Sequence, residues 1–132
     1  MSNLQDLADL PLLEIWGEAV RARRVQGDRI TLAIVELAPN AVVPEHVHPN
    51  EQLGICLRGS GTFTLGGETR EIRPGSTWRI LANVPHDLVV GPEGAEVIDV
   101  FTPVRDDWDD KPVLPAAAPR WAAGRGPGSA PS

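Results

Sequence analysis

His46 and His48 stand one residue apart in the stretch Pro44-Glu45-His46-Val47-His48-Pro49-Asn50-Glu51-Gln52, and the chain has one further histidine, His86, directly after Pro85. In an extended strand successive side chains point to opposite faces. A His-x-His pair there presents two imidazoles on one side. The same parity puts Gln52 with them and Glu51 away, across the bend that Pro49-Asn50 introduces. Imidazole nitrogen suits borderline divalent metals, and an amide oxygen can complete such a set. The expectation is one divalent transition metal (zinc, nickel, iron, manganese or copper) on His46, His48, Gln52 and His86. Histidines at this spacing also occur without a metal. Against coincidence, these three are the only histidines in the chain, and the flanking glycines and prolines fall at turn positions.

Three neutral imidazoles and an amide leave the charge of a divalent ion uncompensated. Such an ion attracts anionic oxygen and acts as a Lewis acid, which suits polarising a hydroxyl, carbonyl or enolate. Further along, Asp99 interrupts the apolar run Val97-Ile98-Asp99-Val100-Phe101. By period two it shares a face with Val97 and Phe101. If that face is interior, Asp99 is a carboxylate among apolar walls, able to move protons. If it is exterior, Ile98 and Val100 are core. Arg105 follows just past this run; its planar fork suits a substrate carboxylate, or a surface pair with Asp106 or Asp107. Phe101 reads as an apolar wall or plain core. Trp16 and Trp108 read as packing residues, and Glu45 and Glu51 as solvated neighbours of the ligands.

These side chains need a scaffold of strands. Residues 3–10 suit a short helix, with Asn3 as cap and Leu4, Leu7 and Leu10 on one side. From Leu13 to Val25 the pattern is strand-like with breaks. Ile30, Leu32 and Ile34 alternate with Arg29, Thr31 and Ala33 in a strand that runs to Leu37 and turns at Pro39-Asn40. A strand over 52–57 is followed by a turn at Gly59-Ser60-Gly61. Gly66-Gly67 joins Thr62–Leu65 to Glu68–Ile72 as a hairpin. Pro74-Gly75 turns into a strand at 78–81, a strand follows at 88–90, Gly91-Pro92-Glu93-Gly94 turns again, and 95–101 is the last strand. Turn signals at this spacing, with no long helical pattern, define an all-β sandwich or barrel. The expected division is a helical segment over 1–12, a barrel over 13–110, and a disordered tail over 111–132, where prolines, alanines and glycines cannot build a core.

Composition narrows the partners. The chain has 132 residues, 42% of them apolar, a net charge of −6 and a pI near 4.9. An acidic chain without a basic cluster argues against a nucleic-acid backbone or an anionic membrane. No apolar run reaches the ~20 residues that span a bilayer. The first residues lack the pattern of a signal peptide, so the cytoplasm is the expected location. The single cysteine, Cys56, excludes an internal disulfide and reads as a small buried residue.

Residues 40–59 resemble the first motif of the cupin family: His46, His48, Gln52 and Gly59 fall at its spacing, with Asn40 where the family has Gly and Gln52 where it usually has Glu. Residues 67–86, with Pro74-Gly75 and Pro85-His86, resemble the second motif, and the likeness covers about 30–102. It implies a cupin-type double-stranded β-helix, a small jelly-roll barrel with the metal inside, as a homodimer. The run His-x-His-Pro-x-Glu-Gln, then Val-Pro-His, then Val-Ile-Asp-Val-Phe-Thr-Pro-Val-Arg-Asp-Asp-Trp is similar to cupins of pectin and alginate breakdown, which linearise 4,5-unsaturated monouronates. By that resemblance the metal ligands are His46, His48, Gln52 and His86, the catalytic residues Asp99 and Arg105, and the substrate contacts Phe101 and Arg105. Hydroxynitrile-lyase-like cupins share the ligand set. The resemblance therefore implies a metal-dependent lyase or isomerase acting on a small anionic substrate. Its alternatives are a dioxygenase, a non-catalytic sugar-acid-binding protein and a carbon–carbon lyase.

Overall fold

The computed structural model describes residues 2–120. Among the described residues nine strands follow one another: β1 (Leu12–Glu14), β2 (Val20–Gln26), β3 (Thr31–Leu37), β4 (Val42–His46), β5 (Glu51–Leu65), β6 (Glu68–Ile72), β7 (Thr77–Ile80), β8 (His86–Thr102) and β9 (Val113–Leu114). The two long strands organise the rest. The second half of β8 pairs with β3 on one side and with the first half of β5 on the other. Its first half pairs with β4 and with the second half of β5. β7 joins the first half of β5 and β6 the second, while β2, β1 and β9 extend the sheet beyond β3. β5 and β8 thus take part in two sets of pairings, the arrangement of a jelly roll.

The expected turns at Gly59-Ser60-Gly61 and Gly91–Gly94 are bends inside these two strands, not chain reversals. The register between β5 and β8 shifts between Gly59 and Gly61. A Cβ on Gly59 would lie 1.9 Å from the Gly94 carbonyl oxygen, and one on Gly91 would lie 2.2 Å from Ser60 Oγ. Those glycines let two bending strands touch, a use of strand glycine that resembles a turn signal in sequence. The Gly66-Gly67 hairpin and the Asn40 turn form as expected, with φ of 56° and 86° at the glycines and 61° at Asn40.

Alternation sets the interior. Val20 and Ala22 of β2, Ala33, Val35 and Leu37 of β3, and Val97 and Phe101 of β8 turn inward and are buried. Cys56 is buried too. Outside this face lies a buried ion cluster. The Glu36 carboxylate accepts from Arg21 Nη2 at 3.0 Å, Arg23 Nη1 at 3.2 Å and the Arg120 backbone N–H at 2.7 Å. Arg23 also donates to the Ala117 carbonyl, and Arg120 Nη1 to the Leu37 carbonyl. The segment after β9 is therefore laid over the outside of β2 and β3.

Two expectations at the chain ends need correction. The helix expected over 3–10 is a single 3-10 turn, Leu7–Asp9, with no side-chain cap; so short a stretch ahead of Pro11 cannot meet the cost of helix nucleation. The tail expected to be disordered from 111 onward is in place up to 120. β9 pairs with β1, and the Arg23 and Glu36 groups need the partners that 117 and 120 bring. The remainder of that tail, 121–132, lies outside the described residues.

Candidate metal centre

His46 ends β4, His86 begins β8, and the two are register partners. His48 lies in the loop between β4 and β5, not in a continuous strand as expected from parity, and Gln52 lies at the start of β5. The loop is tied down: the Asn83 N–H donates to the His48 carbonyl at 2.9 Å, and Asn50 Nδ2 to the Pro103 carbonyl at 2.6 Å. The three imidazoles converge, with ligand nitrogens all within 4.8 Å of one another. Gln52 is buried and Glu51 exposed, as parity predicts.

The donor set fits a cation. Nδ1 of His46 lies 2.8 Å from the Pro44 carbonyl, Nδ1 of His48 3.0 Å from that of Asn50, and Nδ1 of His86 2.8 Å from that of Val84. A carbonyl only accepts, so each Nδ1 carries the proton and each Nε2 offers a lone pair. Gln52 Oε1 stands 3.0 Å from His48 Nε2. Acceptors facing one another in a buried site call for a shared positive ion. Burial, reinforced by the Arg105 charge, lowers the pKa of His48, and burial pushes that of His86 down to about 4. Both rings are thus neutral and ready to bind at neutral pH.

Asp99 turns inward with Val97 and Phe101 and is buried. Its Oδ1 accepts from Trp78 Nε1 at 2.8 Å. Burial raises the Asp99 pKa to about 6 against the opposing pull of Gln52, Trp78 and Arg105. Gly54 makes this contact possible. It is the register partner of both Trp78 and Asp99, and a Cβ there would lie 2.0 Å from Trp78 Nε1 and 2.3 Å from Asp99 Oδ1. Sequence reasoning passed over Trp78 and Gly54. A glycine in mid-strand was the available signal for a close approach.

Arg105 is held from several sides. Its backbone N–H donates to Thr31 Oγ1 at 2.9 Å and its carbonyl accepts from Arg24 at 2.6 Å. The guanidinium carbon lies 4.6 Å from the ring centroids of both Phe101 and Trp108. Nε and Nη2 donate to the two oxygens of Asp107 at 3.0 and 2.9 Å, which holds the Asp107 carboxyl below its usual range. Arg105 pairs with Asp107 by one edge, as one of its two sequence readings expected, and its Nη1 makes no hydrogen bond among the described residues. Trp108 is buried as expected. Trp16 is not a packing residue but is 40% exposed, with its ring centroid 5.3 Å from that of His46.

The three histidines, Gln52, Trp78, Asp99, Phe101, Arg105, Trp108 and Trp16 line one cavity of about 280 Å³. A barrel of this topology with a histidine cluster inside defines the class: the cupin domain model matches residues 33–101, and the chain belongs to that family. It is similar to the pectin degradation protein KdgF of Dickeya dadantii, 27% identical over 97 residues, 72% of this chain and 88% of the relative. It is 30% identical over 79 residues to the dimethylsulfoniopropionate lyase DddW of Ruegeria pomeroyi, 60% of this chain and 52% of that protein, so it spans about half of that relative. Among solved structures it is similar to KdgF from Halomonas sp. (TM-score 0.67, 25% identity, 72% of this chain and 88% of that one). It is also similar to the polyketide cyclase RemF from Streptomyces resistomycificus (TM-score 0.67, 25% identity, 90% and 88%). The cupin jelly roll expected from the motifs is therefore the fold found.

Proposed function

We propose that this protein is a metal-dependent enzyme that linearises 4,5-unsaturated monouronates or a related small carboxylated enol ether. One observation carries the reading: a buried carboxylate with its pKa raised to about 6, Asp99, shares a cavity with three converging imidazoles and a stacked guanidinium. The similarity to pectin degradation proteins named KdgF supports it. A divalent ion on His46, His48, Gln52 and His86 would supply Lewis acidity toward a substrate oxygen. Ring opening breaks the ring C–O bond and moves one proton from the anomeric hydroxyl to the enol carbon. Composition does not change, and no oxidant is required. Asp99, with a pKa near neutrality, is suited to carry that proton. Arg105 would take the carboxylate on its Nη1 side, while Asp107 holds the other edge. Phe101 forms the wall under the guanidinium. Loss of the enol-ether absorbance of the unsaturated uronate, dependent on metal and stopped by chelator, is the expected result. Asp99→Ala should lose turnover and keep metal binding. Full turnover in that variant would refute the role of Asp99.

A further inference from the structure

The cavity is built for a substrate with few hydroxyl groups. Its walls between the histidine cluster and the opposite sheet are hydrocarbon: Val20, Val35, Leu37, Val43, Phe63 and Leu88. Among the described residues no serine, threonine, tyrosine or asparagine lines it. Most polar lining groups already have roles; the exception is Trp108 Nε1, which is buried and has no hydrogen-bond partner among the described residues. The histidines and Gln52 form the donor set, Trp78 Nε1 is bonded to Asp99, and one edge of Arg105 is bonded to Asp107. The other polar side chains, Asp87, Asp107 and Lys111, are half-buried or exposed. Strand N–H and C=O groups are engaged in the sheet. At the rim, the exposed Trp16 and Val47 continue the apolar lining.

A monouronate ring carries hydroxyls beyond those that the donor set, Asp99, Arg105 and the one free N–H of Trp108 would engage. Burying one without a partner weakens binding roughly tenfold or more. We infer that the natural substrate is a carboxylated enol or enol ether on a hydrocarbon ring or chain, with its oxygens gathered on the edge that meets the histidine cluster and Arg105. This rests on the proposed reading of the site and narrows its substrate class. Trp16 is then a substrate-contacting residue that covers the apolar body.

The test is a matched pair of ligands on the zinc-loaded full chain, followed by calorimetry. One is 3,4-dihydro-2H-pyran-6-carboxylate, an enol-ether acid without hydroxyls; the other is 4,5-unsaturated galacturonate. The dihydropyran acid should bind at least about tenfold more tightly. Trp16→Ala should weaken that binding several-fold while its zinc affinity, measured separately, stays at the wild-type value. Equal or tighter binding of the uronate, or no binding of the dihydropyran acid, overturns the inference. Turnover of the uronate is scored independently: if it is turned over efficiently and bound more tightly, the substrate inference falls and the enzyme reading stands. If neither acid binds and none is turned over, both fall.

Discussion

Gly54→Ala places a methyl group where Trp78 and Asp99 meet. The added carbon would lie 2.0 Å from Trp78 Nε1 and 2.3 Å from both Trp78 Cε2 and Asp99 Oδ1. The donor and acceptor belong to side chains that are 9% and 6% exposed, so neither can swing into water. The hydrogen bond must break, and a hydrogen bond to a buried charged group is worth about 1.5–3 kcal/mol. Forcing a methyl into a packed region adds about 1–3 kcal/mol. The sum is roughly 3–5 kcal/mol, or ~12–20 °C in the melting temperature of a domain of this size. Melting of the metal-free protein by circular dichroism measures the loss. Gly27→Ala is the control, because its Cβ meets nothing closer than 3.4 Å. A loss under about 4 °C would refute the argument.

Three further outcomes are expected. A divalent metal at about 100 times its dissociation constant should stabilise the protein by about 2.7 kcal/mol; chelator should reverse this, and His46→Ala should abolish it. Glu36→Ala leaves Arg23, 1% exposed, as a buried charge without its carboxylate and should cost about 3–5 kcal/mol in urea unfolding, whereas replacing both Arg23 and Glu36 by methionine should cost far less; equal losses would show that the pair is not the cause. Burial raises the Cys56 pKa, with a smaller contribution from Glu96. Because the folded state favours the neutral thiol, this contribution is complete below the ordinary thiol pKa of 9.0 and is lost as pH rises through the folded value. A thiol reagent at pH 8 should accordingly label the native protein slowly and the urea-unfolded protein at once.

The histidines were legible because they are few and because alternation is a strong rule. Parity also picked Gln52 over Glu51, although the chain between His46 and Gln52 is a loop. Asp99 was ambiguous: an acid in an apolar strand fits either face, and only the pairing of β8 with β3 and β5 decides which face is inside. The glycines at 59, 91 and 94 misled, since a glycine that admits a neighbouring strand and one that reverses the chain look alike. Residues 111–120 misled for a different reason. Their composition cannot form a core, but the segment closes over one that the rest of the chain has built. Gly54 and Trp78 were missed because their significance lies in a contact across 24 positions of sequence, which no local pattern carries.

That closing segment has a consequence for the order of biosynthesis. β9 and residues 117–120 leave the ribosome after every other described strand, and they supply the partner of β1 and the last donors to Glu36. A nascent chain that has reached only residue 112 presents an open β1 edge, with Arg23 and Glu36 still uncovered. An open edge of this kind is a template for pairing with another chain. A chain cut short after Lys111 would therefore keep that edge open, with the histidine-bearing strands already made.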